Sequence, residues 1–489
     1  MLSEYRQRFN EFQTEWQREE FLWRSGERRG ADWSRLWSEH SDLFTPARIE
    51  ELRAARESIA EYRETERRGV ELLIAFALEG NLQVRGREVG REIERYEASI
   101  EIDWGGGRVG TAEVEEMLAS EPDGGKRRDL FVRWADAVAQ VDDLREEEWR
   151  RRREGADLLG YSDLVAMHRE ARRVDPAALR PQAERILSRT ETAYVSALAA
   201  HLPREIHQSI DDATEADLPL LRRYSRFDHY LSSEKMLGVY RELFADLGFN
   251  TASQTNLRID AAARRAFCAP IRVPEEVRLG VQPMGGQANY GDFLFQVGRA
   301  QHAAWTSANL HPEFRRGGDP AVAEAWGLLF ENLLLDGSWL TSAFGFIEND
   351  AFRRTLGLFR CMELRRDAAR LLHELDFHGG AGLSPGAAVE RYRERMSDAM
   401  RVQYGVSGAL RGLEAGFPGA NRLRARAFEA QLREFLKTQF GSRWWASRKA
   451  GETLIDLWNT GQRHSLDELA RMIGLGELDF DWLLASTRF

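Results

Sequence analysis

The sequence has few of the features that mark several large classes of protein. Its 489 residues include two cysteines, Cys268 and Cys361. Two thiols give no disulfide framework and fit a reducing compartment. No run of about 18 apolar residues occurs, and residues 1–9 lack the apolar core of a signal peptide. These absences predict a cytoplasmic protein without a membrane partner.

A nucleic-acid-binding surface is not expected either. The net charge is −10 at pH 7 and the pI is about 5.7, whereas nucleic-acid-binding domains are basic. The basic run of residues 150–153 is better explained as a solvated helix face. With 43% hydrophobic and 30% charged residues, the chain fits a large globular protein with an ample core.

Helical patterns dominate the chain. Apolar residues recur at helical spacing through residues 5–23 and 46–80. Ser465 and Glu468 form a capping-box pattern, and Gly474 follows as a helix-ending residue. Three pairs of a capping residue and a proline predict helix starts: Thr45-Pro46, Asp175-Pro176 and Ser384-Pro385.

Strand patterns are few. Residues 99–104 alternate and stop at three glycines, residues 105–107, which we interpret as a hairpin turn rather than a phosphate loop. Residues 270–290 carry short alternating segments broken by proline and glycine, which predicts a small sheet. We find no internal repeat and no low-complexity linker.

The most informative segment is residues 290–305, which read YGDFLFQVGRAQHAAW. This segment resembles the active-site helix of the thimet oligopeptidase and oligoendopeptidase F family of zinc metallopeptidases, in which the motif is H-E-x-G-H and a glutamate on the next helix is the third ligand. Aligned on Gly298, this chain has Phe295, Gln296 and Arg299 in place of His, Glu and His. Glu324 falls where the third ligand would be. Residues 264–274 and 282–286 also resemble the family's flanking segments.

The replaced residues cannot perform the family's chemistry. Two histidines at i and i+4 reach one zinc ion from the same helix face, and the glutamate between them acts as general base. Phe295 has no lone pair, Arg299 is a permanent cation, and Gln296 cannot take up a proton near pH 7. We therefore expect no metal and no other cofactor. We further expect Arg299 to form an ion pair with Glu324 in place of the metal.

The C-terminal part resembles the family with a second loss. There, family members place tyrosines on a loop before a helix, and their phenols stabilise the developing oxyanion. In the register set by residues 423–432, Pro418 and Arg422 occupy those positions. Neither residue supplies a phenol, and proline also lacks a backbone N–H.

Two alternatives concern the site itself. His302 could be a metal ligand, although a core or surface histidine is the more common situation. The whole of residues 290–305 could also be an ordinary helix whose residues serve only the core and the surface.

The resemblance covers most of the chain and implies its architecture. We expect a mainly α, two-lobed helical fold around a deep channel, with a small β-sheet. The chain would form one unit, residues 1–489, with one lobe of roughly residues 1–200 and a second of roughly residues 201–489.

Three functions are consistent with this reading. The first is a pseudo-peptidase that keeps the channel and binds a short peptide, a small ligand or a partner through Gln296, Arg299, His302, Glu324 and Arg422. The second is an enzyme with metal-free chemistry in the same cavity, which would need a nucleophile beside a base. The third is a regulatory or structural subunit of an active paralogue, or a homodimer.

Overall fold

The structure is a computed structural model and describes residues 1–261, 265–380 and 385–487. Helices make up most of these residues, as the periodicity predicts. The first half holds α1 Leu2–Arg24, α2 Trp33–Glu39, α3 Pro46–Ser58, α4 Glu64–Ser99, α5 Val114–Ser120, α6 Gly124–Ala139, α7 Asp142–Leu158, α8 Leu164–Arg172, α9 Arg180–Ile206, α10 Leu218–Arg223 and α11 Met236–Asp246. The second half holds α12 Gly286–Trp305, α13 Pro312–Arg316, α14 Pro320–Glu331, α15 Gly337–Phe344, α16 Asp350–His378, α17 Pro385–Met400, α18 Gly408–Arg411, α19 Pro418–Phe440, α20 Arg448–Asn459, α21 Leu466–Met472 and α22 Phe480–Ser486.

The helical pattern of residues 46–80 is divided between two helices. Helix α3 ends at Ser58 because Ile59 adopts an extended backbone, with φ −83° and ψ 123°, which cannot continue a helix. Helix α4 then begins at Glu64. The apolar pattern is continuous across this break because both helices bury their apolar residues.

The predicted helix caps are present where the structure describes them. The Thr45 hydroxyl accepts a hydrogen bond from the backbone N–H of Arg48, with Pro46 in the first turn. Ser465 and Glu468 form a reciprocal capping box before α21. Asp175 caps a short 3₁₀ turn that leads into α9. The prediction at Ser384 lies outside the described residues, although α17 begins at Pro385.

The predicted hairpin is confirmed. Strands β1 Glu101–Trp104 and β2 Gly107–Gly110 pair antiparallel. Gly105 and Gly106 between them have φ values of 61° and 82°, which glycine adopts without strain.

A second sheet lies next to the helix that carries the candidate site. Its strands are β3 Leu257–Asp260, β4 Phe267–Arg272 and β5 Glu276–Gly280, in the order β3-β5-β4. Strand β5 pairs parallel to β3 and antiparallel to β4. The sheet predicted for residues 270–290 therefore exists but lies earlier in the chain, since α12 already begins at Gly286.

The chain forms two compact units that are interleaved in sequence. The first comprises Met1–Leu78, Ser225–Leu356 and Arg424–Ser486, and the second is mainly Glu79–Tyr224 and Gly357–Leu423. The lobes at residues 1–200 and 201–489 stay a prediction. Among the described residues, the structure contains no helix with the length and apolar character needed to span a bilayer.

Candidate functional site

Helix α12 carries the candidate site and packs against α14 at very short range. A β-carbon added to Gly298 would lie 2.1 Å from the carbonyl oxygen of Trp326. A β-carbon added to Gly327 would lie 2.7 Å from the Phe295 ring. Glycine is therefore required at both positions. In the sequence, Gly298 serves only to set the register of the motif, and Gly327 has no assigned role there. A glycine inside a helix often signals a close backbone approach, and that signal is the one by which Gly327 can be found.

The buried face of α12 is held by a polar network. The Gln301 side chain donates to the Tyr240 hydroxyl at 3.1 Å and accepts a hydrogen bond from the Trp305 indole at 3.1 Å. It also pairs with the side-chain amide of Gln254. Buried polar groups that are satisfied in this way fix the rotation of a helix.

His302 lies on the same buried face. Its exposed fraction is 3%, and its Nε2 lies 3.1 Å from the carbonyl oxygen of Gly461. Burial lowers the pKa of His302 to about 4, the Gly461 bond opposes that shift, and the charge of Arg299 adds to it. The geometry thus favours a neutral core histidine over a metal ligand.

The side chains of Phe295, Gln296 and Arg299 are half-buried. Arg299 donates through Nη1 to Oε1 of Gln296 at 3.1 Å, and its guanidinium carbon lies 6.0 Å from the centre of the Phe295 ring. The predicted ion pair between Arg299 and Glu324 is wrong: across the described residues, no carboxylate lies within ion-pair distance of Arg299. Its side chain instead bonds to Gln296, its neighbour one turn earlier on the same helix.

These residues do not fit a zinc ion. Zinc in proteins takes Cys, His, Asp or Glu ligands, usually three or four of them. At the aligned positions stand an aromatic ring, a neutral amide and a cation. Within residues 1–261, 265–380 and 385–487, no group of three or more His, Cys, Asp or Glu residues is arranged to hold a metal ion.

Glu324 is half-buried on α14, and the start of that helix is firmly anchored. The Asp319 carboxylate caps the helix by accepting from the N–H of Ala321 at 3.1 Å. Arg424 of α19 donates to both Asp319 oxygens, at 3.0 Å and 2.6 Å. Burial alone would raise the pKa of Asp319, but the charge and hydrogen bonds of Arg424 outweigh it and hold that pKa below its usual range.

Pro418 and Arg422 belong to the second unit, and both lie within α19 rather than on a loop before a helix. Pro418 is the first residue of α19, a position where its missing N–H costs nothing. The next residue, Gly419, donates its N–H to the buried carboxylate of Glu374 at 3.3 Å. Arg422 makes a long contact of 3.5 Å between Nη1 and Oδ1 of Asp367. Neither side chain supplies the acidic hydroxyl of a tyrosine.

The two cysteines offer no activated nucleophile. Cys268 on β4 is buried, and burial raises its thiol pKa to about 11 although the charge of Arg299 opposes the shift. Burial likewise raises the pKa of Cys361 to about 11. A reactive cysteine needs a lowered pKa. Both thiols are therefore protonated near neutral pH.

Comparison with solved structures identifies the fold. The chain is similar to PZ peptidase A solved with an inhibitor, with a TM-score of 0.67, 14% identity, and coverage of 92% of this chain and 86% of that one. It is similar to a protein described as an oligoendopeptidase F, with a TM-score of 0.65, 15% identity, and coverage of 91% and 83%. A third neighbour is described as an oligoendopeptidase F from Bacillus anthracis strain Ames, with a TM-score of 0.62, 12% identity, and coverage of 92% and 84%.

These likenesses show that the chain has the mainly helical oligoendopeptidase fold, as the sequence predicts. No family model matches the sequence, and no curated protein matches it either. At 12–15% identity, the similarity concerns the fold and carries no activity with it.

Proposed function

We propose that this chain is a catalytically inactive oligopeptidase-like protein that binds a short peptide without hydrolysing it. The observation that carries the proposal is a contrast within α12 between the residues that pack against α14 and the residues at the aligned motif positions. The glycine contacts that bring α12 and α14 together are present, whereas the motif positions hold Phe295, Gln296 and Arg299. Selection for the fold alone would keep the helix pair, and loss of the metal ligands removes the means of activating water.

Repurposed chemistry without a metal is the less favoured function. It would need a nucleophile next to a base. Cys268 is the nucleophile-type side chain that Arg299 influences electrostatically, and its raised pKa opposes that role. His302, the histidine of α12, is buried against Gly461 and makes a poor general base because its pKa is lowered.

Peptide binding and peptide cleavage should be measured on the same samples. We expect short fluorescent peptides to bind saturably, as judged by polarisation, and to be recovered intact by mass spectrometry after long incubation. Cleavage that rises with protein concentration and is abolished by a chelator would contradict the proposal. Absence of any saturable binding across a varied peptide set would contradict its binding part.

A further inference from the structure

We infer that Arg299 and Gln296 form a recognition site for a carboxylate, and that this carboxylate is the C terminus of the bound peptide. The inference rests on the proposed function, because it names the chemical group by which the peptide would be held. It uses only residues of α12 and the sheet beside it, within the first unit.

Arg299 carries a positive charge that no carboxylate of the described residues balances. Arg299 is half-buried, yet among the described residues no Asp or Glu forms an ion pair with it. Its Nε is fully buried and has no hydrogen-bond acceptor. Gln296 and the Phe295 ring contact the guanidinium but carry no negative charge, and removing a cation from water without an anionic partner is costly. Arg424 shows the usual solution in this protein, since both of its terminal nitrogens bind one buried carboxylate.

Gln296 and Arg299 form a pair of adjacent hydrogen-bond donors. Gln296 uses its Oε1 to accept from Arg299. This bond leaves the Nε2 group of Gln296 as a donor, and in the described part of the chain that group has no acceptor. Arg299 and Gln296 therefore present N–H groups from two neighbouring side chains, one charged and one neutral. A carboxylate has two oxygens, and each can accept a hydrogen bond from one of these two donors.

Arg299 contributes a positive charge to its surroundings. Arg299 contributes electrostatically at both His302 and Cys268, lowering the pKa of each relative to burial and bonding alone. Both groups are neutral near pH 7, so neither cancels the positive charge. Glu20, which also acts on Cys268, forms an ion pair with Arg24. Phe295 offers only a ring face. One cation beside a neutral amide suits a monoanion such as a carboxylate better than a phosphate dianion.

The decisive comparison uses one peptide in two forms, a free acid and a C-terminal amide, each labelled at its N terminus. The intact wild-type chain should bind the acid roughly tenfold to a hundredfold more tightly, since a hydrogen bond to a charged group contributes about 1.5–3 kcal/mol. Arg299→Gln should bring the two affinities together. Arg258→Gln, which changes an exposed arginine on β3, should leave the ratio unchanged.

Each of the remaining outcomes would contradict a specific part of the inference or of the proposed function. Equal binding of acid and amide by the wild-type chain would overturn the inference and leave the proposed function standing. If an amidated peptide with an aspartate side chain binds as tightly as the acid and depends on Arg299, the C terminus is overturned as the source of the carboxylate. If neither form binds, the inference and the proposed function both fail. The acid-to-amide ratio of the wild-type chain remains decisive even if Arg299→Gln does not fold.

Discussion

The backbone at Gly298 lies against the carbonyl oxygen of Trp326, so closely that a β-carbon at position 298 would stand 2.1 Å from that oxygen. This contact joins α12 to α14 and gives a packing reason for glycine at position 298 that does not depend on the residues at positions 295, 296 and 299. Helix packing and metal chemistry thus make separate demands on one segment. The packing demand is met in this chain, since α12 and α14 lie in contact at this glycine.

Gly298→Ala should destabilise the protein. The added methyl group meets backbone atoms of Trp326 and Gly327, which cannot move aside as a flexible side chain could. Overpacking of this kind costs about 1–3 kcal/mol and occasionally more. Urea denaturation should show the loss, whereas the control Gly238→Ala in α11, where nothing lies within 4 Å of the added carbon, should be neutral or slightly stabilising. Equal effects of the two substitutions would contradict the close helix contact.

Arg424→Ala should cost about 3–5 kcal/mol of unfolding free energy, because it leaves the Asp319 carboxylate buried without its partner. The matched control is Lys437→Ala, which removes an ion pair of α19 with Glu434 that is about one-third exposed on both sides and should cost less than about 1 kcal/mol. Denaturant unfolding of both variants under one condition gives the comparison. A cost for Arg424→Ala as small as that of the control would show that α14 does not depend on this pair.

Because His302 is buried and neutral in the folded chain, the protein should become less stable in mild acid. Its pKa falls from the ordinary 6.5 to about 4 in the folded chain, so the unfolded chain takes up the proton first as the pH drops. The stability that neutral His302 adds to the folded chain is complete above about pH 6.5. As the pH falls further, this stability is lost at about 1.4 kcal/mol per pH unit until about pH 4. His302→Gln should flatten this part of the stability profile, whereas His311→Gln, at an exposed site, should not. Parallel profiles for wild type and His302→Gln would contradict the buried neutral histidine.

A zinc site should reappear when the lost ligands are replaced together. Phe295→His with Arg299→His places two imidazoles one helical turn apart, opposite the helix that carries Glu324. We expect the double variant to bind zinc in calorimetric titrations. Arg299→His alone should not, since it supplies one imidazole only. If the double variant takes up no more zinc than the wild-type chain, α12 and α14 are not in the arrangement that a metal site requires.

Much of the fold could be predicted because local signals agree with it. The hairpin at residues 101–110 and the caps at Thr45 and Ser465 depend on short-range chemistry that sequence reveals directly. The break between α3 and α4 could not be predicted, since both sides of Ile59 bury apolar residues and the pattern continues across it. The interleaving of the two units depends on contacts between distant segments, which a single sequence does not display.

The candidate site likewise has features that local sequence reveals and features that depend on contacts between distant segments. That Phe295, Gln296 and Arg299 are not zinc-ligand side chains follows from residue identity alone. The partner of Arg299 does not follow from identity, because a flexible arginine has several partners within reach. In the structure Arg299 bonds to Gln296 rather than to Glu324. The family resemblance predicts a loop at Pro418 and Arg422, whereas the proline begins α19 and Arg422 lies within that helix. Gly327 and the Asp319–Arg424 pair became visible only once the helices were packed.

The most direct test of the account is the zinc content of the purified wild-type chain. The protein should be loaded with excess zinc, dialysed exhaustively without chelator and measured by elemental analysis. The account predicts far less than one zinc ion per chain, because Phe295 and Arg299 cannot be ligands. A stoichiometric zinc ion that survives dialysis and is removed by substituting Glu324 would contradict it.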